Sequence, residues 1–372
     1  MKIALVHDQL QEFGGAERVI VSLKRIFPKA KVFTAFYNFK TLGEHPDEIK
    51  NWDIKPSWAH YIPFFKKLYS PLRFFAPQIW ESFDFSDFDI VITSSGWYMC
   101  KGIKTYGKTK NICYLHHPPR YLYNYETALE WQKYILIRIY ANIINHRLRM
   151  WDYLSSQRVD YFIANSIETK KRIRKFYRKD AFVIYPPVYI PNEKDVSYKP
   201  KGNYYVTVSR LARAKHIDLL IQAANKMGFY LKIIGDGKDK ERLKKIAKRN
   251  IEFLDNINDE KLKKILQGAK AFLFASVDEE FGIAPAEAMG YGVPVIAYAS
   301  GGLKETIKDK FNGFLYDKLD LKSLIEKIKQ LESLAYDEYI EMRKNARGES
   351  LKYSEIEFKK NILKFISKIK DK

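Results

Sequence analysis

The feature that most limits what this chain can fold into is an alternation, run through twice, of short apolar segments with amphipathic ones. Residues 2–7 (KIALVH) form an apolar run that closes in polar residues, and VIVSLKRIF after it places apolar positions at helical spacing. That pattern predicts strand, loop, helix. Further strands are expected at 31–37, 87–95, 111–117, 158–166 and 181–187, with one or two helices in 121–157 and another over 167–177. A proline- and charge-rich segment at 188–202 then reads as a linker. Beyond it the pattern restarts, with strands at 204–210, 229–237, 251–255 and 294–299 and helices at 216–227, 240–250 and 259–269. Strands alternating with helices imply a parallel sheet with right-handed crossovers, so each half reads as a doubly wound, Rossmann-like α/β domain. Two such domains facing each other are expected to leave a cleft, with ligands at the carboxyl ends of the strands.

In the second half the most informative stretch is 272–305, FLFASVDEEFGIAPAEAMGYGVPVIAYASGGLKE. It reads as a strand, an acidic turn (Asp278, Glu279, Glu280), a turn at Phe281-Gly282-Ile283, a short helix opening at Pro285, and a second strand. A glycine lets a ligand approach the backbone, and a helix start offers unpaired N–H groups to an anion. The other strand ends of this half carry Ser209, Arg210 and Lys215, then Gly235-Asp236-Gly237, then Leu254, Asp255 and Asn256. Arg210 and Lys215 beside a helix start fit a diphosphate, although Arg210 also reads as an ordinary surface cation.

In the first half Gly14-Gly15 precedes a helix with Glu17 in its first turn, which fits a phosphate cradle or simply a tight turn. The loops at 8–16, 95–97 and 116–120 are expected to share one sheet edge, which brings His116, His117 and Arg120 to it. Asp87-Phe88-Asp89 spells a DxD that binds metal in other settings, but here it opens a strand and reads as a strand cap.

Composition narrows the classes. The chain has 372 residues, enough for two cores, and 46% of them are hydrophobic. No run approaches the roughly 18 apolar residues of a membrane span. MKIALVHDQL turns polar too early for a signal peptide, so a cytoplasmic location is expected. Cys100 and Cys113 lack metal or redox spacing and are expected in the core. The net charge of +21 is compatible with nucleic acid, an anionic membrane or anionic substrates, and equally with solvated lysine-rich helix faces. No base-stacking module or groove-reading helix supports nucleic acid. Residues 52–80 mix aromatics, Lys/Arg and prolines, which suits peripheral membrane contact or the aromatic rim of an acceptor cleft.

In combination these residues resemble the retaining glycosyltransferases of family four. The resemblance covers nearly the whole chain and rests first on Glu279-x7-Glu287 within EEFGIAPAEAMGYGVPVIA. SRLARAK (209–215), IIGDG (233–237), IEFLDNINDEKL (251–262), GGLKETI, FGGAER (13–18) and CYLHHPPRYLYN (113–124) support it. The last piece looks most like mannosyltransferases that use GDP-mannose to build surface polysaccharides.

The resemblance implies a GT-B fold with an acceptor-side domain (1–190), a nucleotide-sugar-binding domain (203–350) and a basic C-terminal helix (351–372) packing back on the first. It implies a hexose moved from a nucleotide sugar, GDP-mannose favoured, to a lipid-linked or glycan acceptor at the inner membrane face, with no metal or other cofactor. By the same resemblance Glu279 would bind the donor sugar and Glu287 the ribose, while Arg210 and Lys215 neutralise the diphosphate. Backbone amides of Gly14-Gly15 and Gly282-Ile283 would assist, with Ser209, Gly235, Asp236, Leu254 and Phe281 lining the donor. His116 would meet the reacting face of the sugar. Position 117, often a small hydroxyl residue in that motif, is His here, so either histidine could take that part. A UDP-sugar-dependent transferase and a UDP-sugar 2-epimerase of the same architecture are the alternatives.

Overall fold

The computed structural model describes residues 1–42, 46–126, 135–199, 202–255 and 257–370. Its first apolar runs become seven strands: β1 (Ile3–His7), β2 (Lys31–Thr34), β3 (Ile54–Pro56), β4 (Ile90–Ser95), β5 (Lys110–Leu115), β6 (Tyr161–Ala164) and β7 (Ala181–Val183). They form one sheet in the order β3-β2-β1-β4-β5-β6-β7. The second half gives β8 (Tyr204–Val208), β9 (Tyr230–Ile234), β10 (Ile251–Leu254), β11 (Ala271–Phe274), β12 (Val295–Tyr298) and β13 (Gly313–Tyr316), ordered β10-β9-β8-β11-β12-β13. Every ladder in both sheets is parallel. The chain forms two compact units, the first holding Met1–Tyr125, residues 135–187 and residues 358–370, the second Val188–Glu357.

Two strands were not expected from the sequence, and both are sheet edges. β3 is three residues long and ends in Pro56, tolerable because an edge strand has one side without a ladder partner. At β13, Gly313 is required by packing, since a Cβ there would lie 2.1 Å from the Val295 carbonyl oxygen. Several expected strands are shorter than their apolar runs. The 31–37 run leaves the ladder after Thr34, and the 111–117 run after Leu115, ahead of Pro118-Pro119. In 121–157 a single helix, Ile135–Gln157, follows a short turn at Arg120–Leu122; residues 127–134 lie outside the described residues.

The segment expected as a linker is fastened down on the second unit. Arg347 donates to the Pro191 carbonyl (2.6 Å) and the Gly290 carbonyl (2.9 Å), and Arg343 to the Ser197 carbonyl (3.0 Å). Both guanidiniums are buried, so the carbonyls they bind replace the water they lost. Both cysteines are buried free thiols, and burial pushes the Cys113 thiol up to about 12.

The final helix, Glu355–Lys370, contributes to the first unit although it comes last in the chain. Its Phe358, Ile362, Phe365, Ile366 and Ile369 join the core built on Ile3, Leu5, Val19 and Ile20. The Phe358 ring packs edge-on to Tyr114 at 5.9 Å. Replacing Phe358→Ala is expected to cost about 3–5 kcal/mol in urea unfolding followed by tryptophan fluorescence. A loss under about 1 kcal/mol would show that this helix is not part of the core.

Candidate functional site

In the second unit the strand ends are locked to one another through glycines. After β9, Gly235 and Gly237 bring that loop flush against the loop after β8. A Cβ on Gly235 would lie 2.1 Å from the Ser209 carbonyl oxygen, and one on Gly237 2.2 Å from that of Leu211. The Ser209 N–H donates to the Ile234 carbonyl (3.0 Å) and the Leu211 N–H to that of Asp236 (2.8 Å). The Asp236 carboxylate is exposed, and the Gly237 N–H and the Lys240 ammonium hold it below the usual carboxylate range. Leu254 ends β10 half-buried; Asn256 lies outside the described residues.

Lys215 and Glu279 meet directly. Lys215 Nζ lies 2.6 Å from Glu279 Oε2, and the Ser276 hydroxyl donates to the same oxygen at 2.8 Å. The ammonium also reaches Ser276 Oγ (3.2 Å) and stands 5.6 Å from the Phe274 ring centre. Arg210 is exposed. The Glu279 backbone is gripped by the turn after β12, where the Gly302 N–H donates to its carbonyl at 2.8 Å. Gly301, at φ +57, packs so closely that a Cβ would lie 1.9 Å from that carbonyl oxygen. Sequence reasoning gave Ser276 and Gly301-Gly302 no part here. A glycine pair directly after a strand was the available signal.

Helix Ile283–Gly290 opens without a side-chain cap, at Gly282 with φ +89. Pro285 has no N–H and the Ala286 N–H donates to the Gly282 carbonyl (3.2 Å), so Ile283 and Ala284 carry the N–H groups of the helix start, and Glu287 sits half-buried one turn further on. Phe281 differs from expectation. Its ring is buried against Tyr353 at 5.0 Å, so only its backbone is placed to line a ligand.

In the first unit, the Asp8 carboxylate follows β1 and accepts three N–H bonds, from Gly96 (2.8 Å), Tyr98 (2.9 Å) and Cys100 (2.8 Å). It shapes the loop after β4, and a buried carboxylate with three donors is well compensated. The Gly14 N–H, expected to face a phosphate, donates instead to Glu17 Oε2 at 2.9 Å. A carboxylate at that turn opposes an anion beside the helix start at Gly15.

His116 is buried and follows β5. Its N–H donates to the Ser95 carbonyl (2.8 Å), its own carbonyl accepts from Asn165 Nδ2 (3.0 Å), and its Nε2 lies 2.7 Å from Ser94 Oγ. His117 is half-buried, with Nδ1 3.0 Å from the Pro118 carbonyl, which makes Nδ1 the protonated nitrogen. Arg120 opens the next turn, half-buried. The DxD lies at the other end of the strands, where Asp89 Oδ2 accepts from the Lys2 N–H at 2.6 Å.

A family model described as glycosyl transferases group 1 matches residues 190–349, and one described as Glycosyltransferase Family 4 matches residues 13–190. The chain is 26% identical over 307 residues to a GDP-Man:Man(3)GlcNAc(2)-PP-Dol alpha-1,2-mannosyltransferase of Dictyostelium discoideum, across 70% of this chain and 59% of the relative. It is 30% identical over 177 residues to an uncharacterized glycosyltransferase of Methanocaldococcus jannaschii, across 46% of this chain and 49% of the relative. An alpha-1,3/1,6-mannosyltransferase of Kluyveromyces lactis is 25% identical over 371 residues, 83% of this chain and 71% of that one. The match thus spans less than two thirds of the length of the first two relatives, 59% and 49%. Among solved structures, an Anabaena protein in complex with UDP and glucose superposes with a TM-score of 0.71 at 19% identity over 99% of each chain. A lipopolysaccharide outer core galactosyltransferase does so with a TM-score of 0.67 at 19% identity, again over 99% of each. At that identity these two establish the fold.

The grip on Glu279 is directly testable. Gly301→Ala combines a left-handed backbone with a backbone clash and is expected to cost about 1–3 kcal/mol or more in urea unfolding. Gly348→Ala is the matched control, because it lies in a helix with nothing within 4 Å of an added Cβ. It should be neutral or gain about 0.5–1 kcal/mol. Equal effects at the two sites would remove the packing argument.

Proposed function

We propose that this chain, which belongs to glycosyltransferase family four and has the GT-B fold, is a retaining hexosyltransferase that moves mannose from GDP-mannose to a lipid-linked or glycan acceptor. The observation that carries the reading is the Lys215–Ser276–Glu279 cluster at the carboxyl edge of the second sheet. Of the three N–H donors of Lys215, Glu279 and Ser276 take two, which leaves the third for a phosphate oxygen. Ser276 and Lys215 both bind Glu279 Oε2, so Oε1 is the oxygen left to accept from a sugar hydroxyl.

Breaking a sugar–phosphate bond builds positive charge on the sugar and negative charge on the diphosphate. Arg210, Lys215 and the uncapped amides after Gly282 answer the second, and a fixed carboxylate answers the first. Glu287 takes the ribose, while Ser209, Gly235, Asp236 and Leu254 line the nucleotide. His117 and Arg120 serve the acceptor side, and His116 meets the reacting face of the transferred sugar. No metal is required in this scheme, and undiminished turnover in excess chelator is the expected result. The names of the Dictyostelium and Kluyveromyces relatives support mannose, and the first of them supports GDP-mannose.

Two exposed surfaces of the first unit support work at an anionic membrane. Tyr61, Ile62, Phe64 and Leu68 are exposed beside Lys67, and helix Ile135–Gln157 exposes Leu136, Ile139, Ile143, Met150 and Leu154 along one stripe with Arg147. Apolar side chains at helical spacing flanked by cations suit the headgroup boundary. No helix among the described residues is long and apolar enough to cross a membrane.

A thermal-shift panel of GDP-, UDP- and ADP-sugars should show selective stabilisation by GDP-mannose; stabilisation by UDP-sugars alone would overturn the donor assignment. Glu279→Ala and Lys215→Ala are each expected to cut turnover about a hundredfold, the scale of losing one electrostatic stabiliser. Near-normal turnover in both would remove the site. Binding to phosphatidylglycerol vesicles, in a sedimentation assay, should drop sharply in Phe64→Glu/Leu68→Glu. Wild-type protein left in the supernatant would remove the membrane reading.

A further inference from the structure

Four buried polar side chains form a continuous row beneath the carboxyl edge of the first sheet, and only His116 among them has been given a part so far. His7 ends β1, Ser94 is its register partner on β4, His116 follows β5, and Glu17 stands in the first turn of helix Gly15–Ile26. Their relative exposures are 1%, 0%, 8% and 7%, so water does not compete for these bonds. Glu17 Oε1 lies 3.4 Å from His7 Nε2, His7 Nδ1 lies 3.0 Å from Ser94 Oγ, and Ser94 Oγ lies 2.7 Å from His116 Nε2.

Proton counting orders this row. A carboxylate only accepts, and Glu17 already accepts the Gly14 N–H with its other oxygen. A neutral His7 therefore carries its proton on Nε2 and presents a lone pair on Nδ1. The single Ser94 proton goes to that lone pair. Ser94 Oγ must then accept from His116, which places the His116 proton on Nε2 and makes Nδ1 its acceptor nitrogen. The opposite order needs one more proton on the Glu17–His7 pair, so that His7 Nδ1 donates to Ser94 and Ser94 turns round to donate to His116 Nε2.

We propose that Glu17, His7 and Ser94 are positioning residues that hold His116 in its Nε2–H tautomer, with Nδ1 as the nitrogen that accepts. An imidazole with no fixed partner distributes its proton between both nitrogens, and one bound on one side does not. The row also joins His116 to the Gly14-Gly15 turn through Glu17, so the first strand-to-helix turn and the histidine share one hydrogen-bond system. The consequence for turnover rests on the reading of His116 as the residue that meets the transferred sugar; the tautomer itself does not.

The test uses full-length protein labelled with 15N-histidine and long-range 1H–15N spectra, with His116 assigned by the signals lost in His116→Gln. The expected wild-type pattern is Nε2–H for His116. Ser94→Ala should move the His116 tautomer balance away from the wild-type Nε2–H pattern and lower kcat by up to about a hundredfold, the scale of a misplaced reacting group. Ser94→Thr, which keeps the hydroxyl, should restore both. Glu17→Gln, which keeps the shape but alters the proton order, reads the same row if Ser94→Ala folds poorly. An Nδ1–H tautomer in the wild type overturns the proposal, as does an unchanged His116 spectrum in the folded variants. Shifted tautomers with unchanged kcat support the row and remove His116 from the transfer step.

Discussion

Parallel strand pairing is the constraint on which the rest of this structure depends. Every ladder in both sheets runs parallel, so every strand of a unit delivers its carboxyl end to the same edge. Residues far apart in the chain thereby become neighbours without any loop having to travel. His7, Ser94 and His116 are brought together in this way, and so are Lys215, Ser276 and Glu279. The strands are mostly apolar, as parallel sheets covered on both faces by helices require, with Thr93, Thr207 and Lys232 among the exceptions, and the candidate site residues gather at the carboxyl ends.

At those ends the recurring device is a polar group satisfied by backbone rather than by solvent. Asp8 takes three N–H bonds from one loop, and Glu279 is held through its own carbonyl by Gly302. Such loops are rigid because each buried polar atom that lost its partner would carry an unsatisfied bond costing about 1–3 kcal/mol. In the proposed reaction such fixing has a chemical use, because a carboxylate whose backbone is held keeps its oxygens in place instead of reorganising as charge develops.

The same logic explains where expectation and structure part. Phe281 stands in the middle of the most informative stretch of sequence, yet its ring turns inward against Tyr353, because an aromatic beside a glycine turn gains more from burial than from a polar edge. Gly14 reads as an anion-binding glycine until Glu17, three residues on, is seen to occupy its N–H. β3 and β13 carry too few residues, and too much Pro or Gly, for periodicity to reveal them. The apparent linker at 188–199 is polar enough to be free, and residues distant in the chain hold it in place: Arg343 and Arg347 bind its carbonyls, Lys263 binds Asp195, and the Val188 N–H donates to the Tyr353 carbonyl.

The sequence by itself determined the class of fold, the alternation of strands and helices, the family, and the stretches that hold the candidate site. All of these follow from local pattern: apolar runs of strand length, helical spacing, glycines and prolines at ends, and the Glu279-x7-Glu287 signature. Only the tertiary structure decided which side chains face each other. It paired Lys215 with Glu279, added Ser276 and Gly301-Gly302 to them, turned Gly14 toward Glu17, and lined up Glu17, His7, Ser94 and His116. The Gly14–Glu17 and Ser276–Glu279 bonds are local, three residues apart, but the others depend on strand order and register, which no local pattern encodes, because their partners follow different strands and meet only when the sheet has formed.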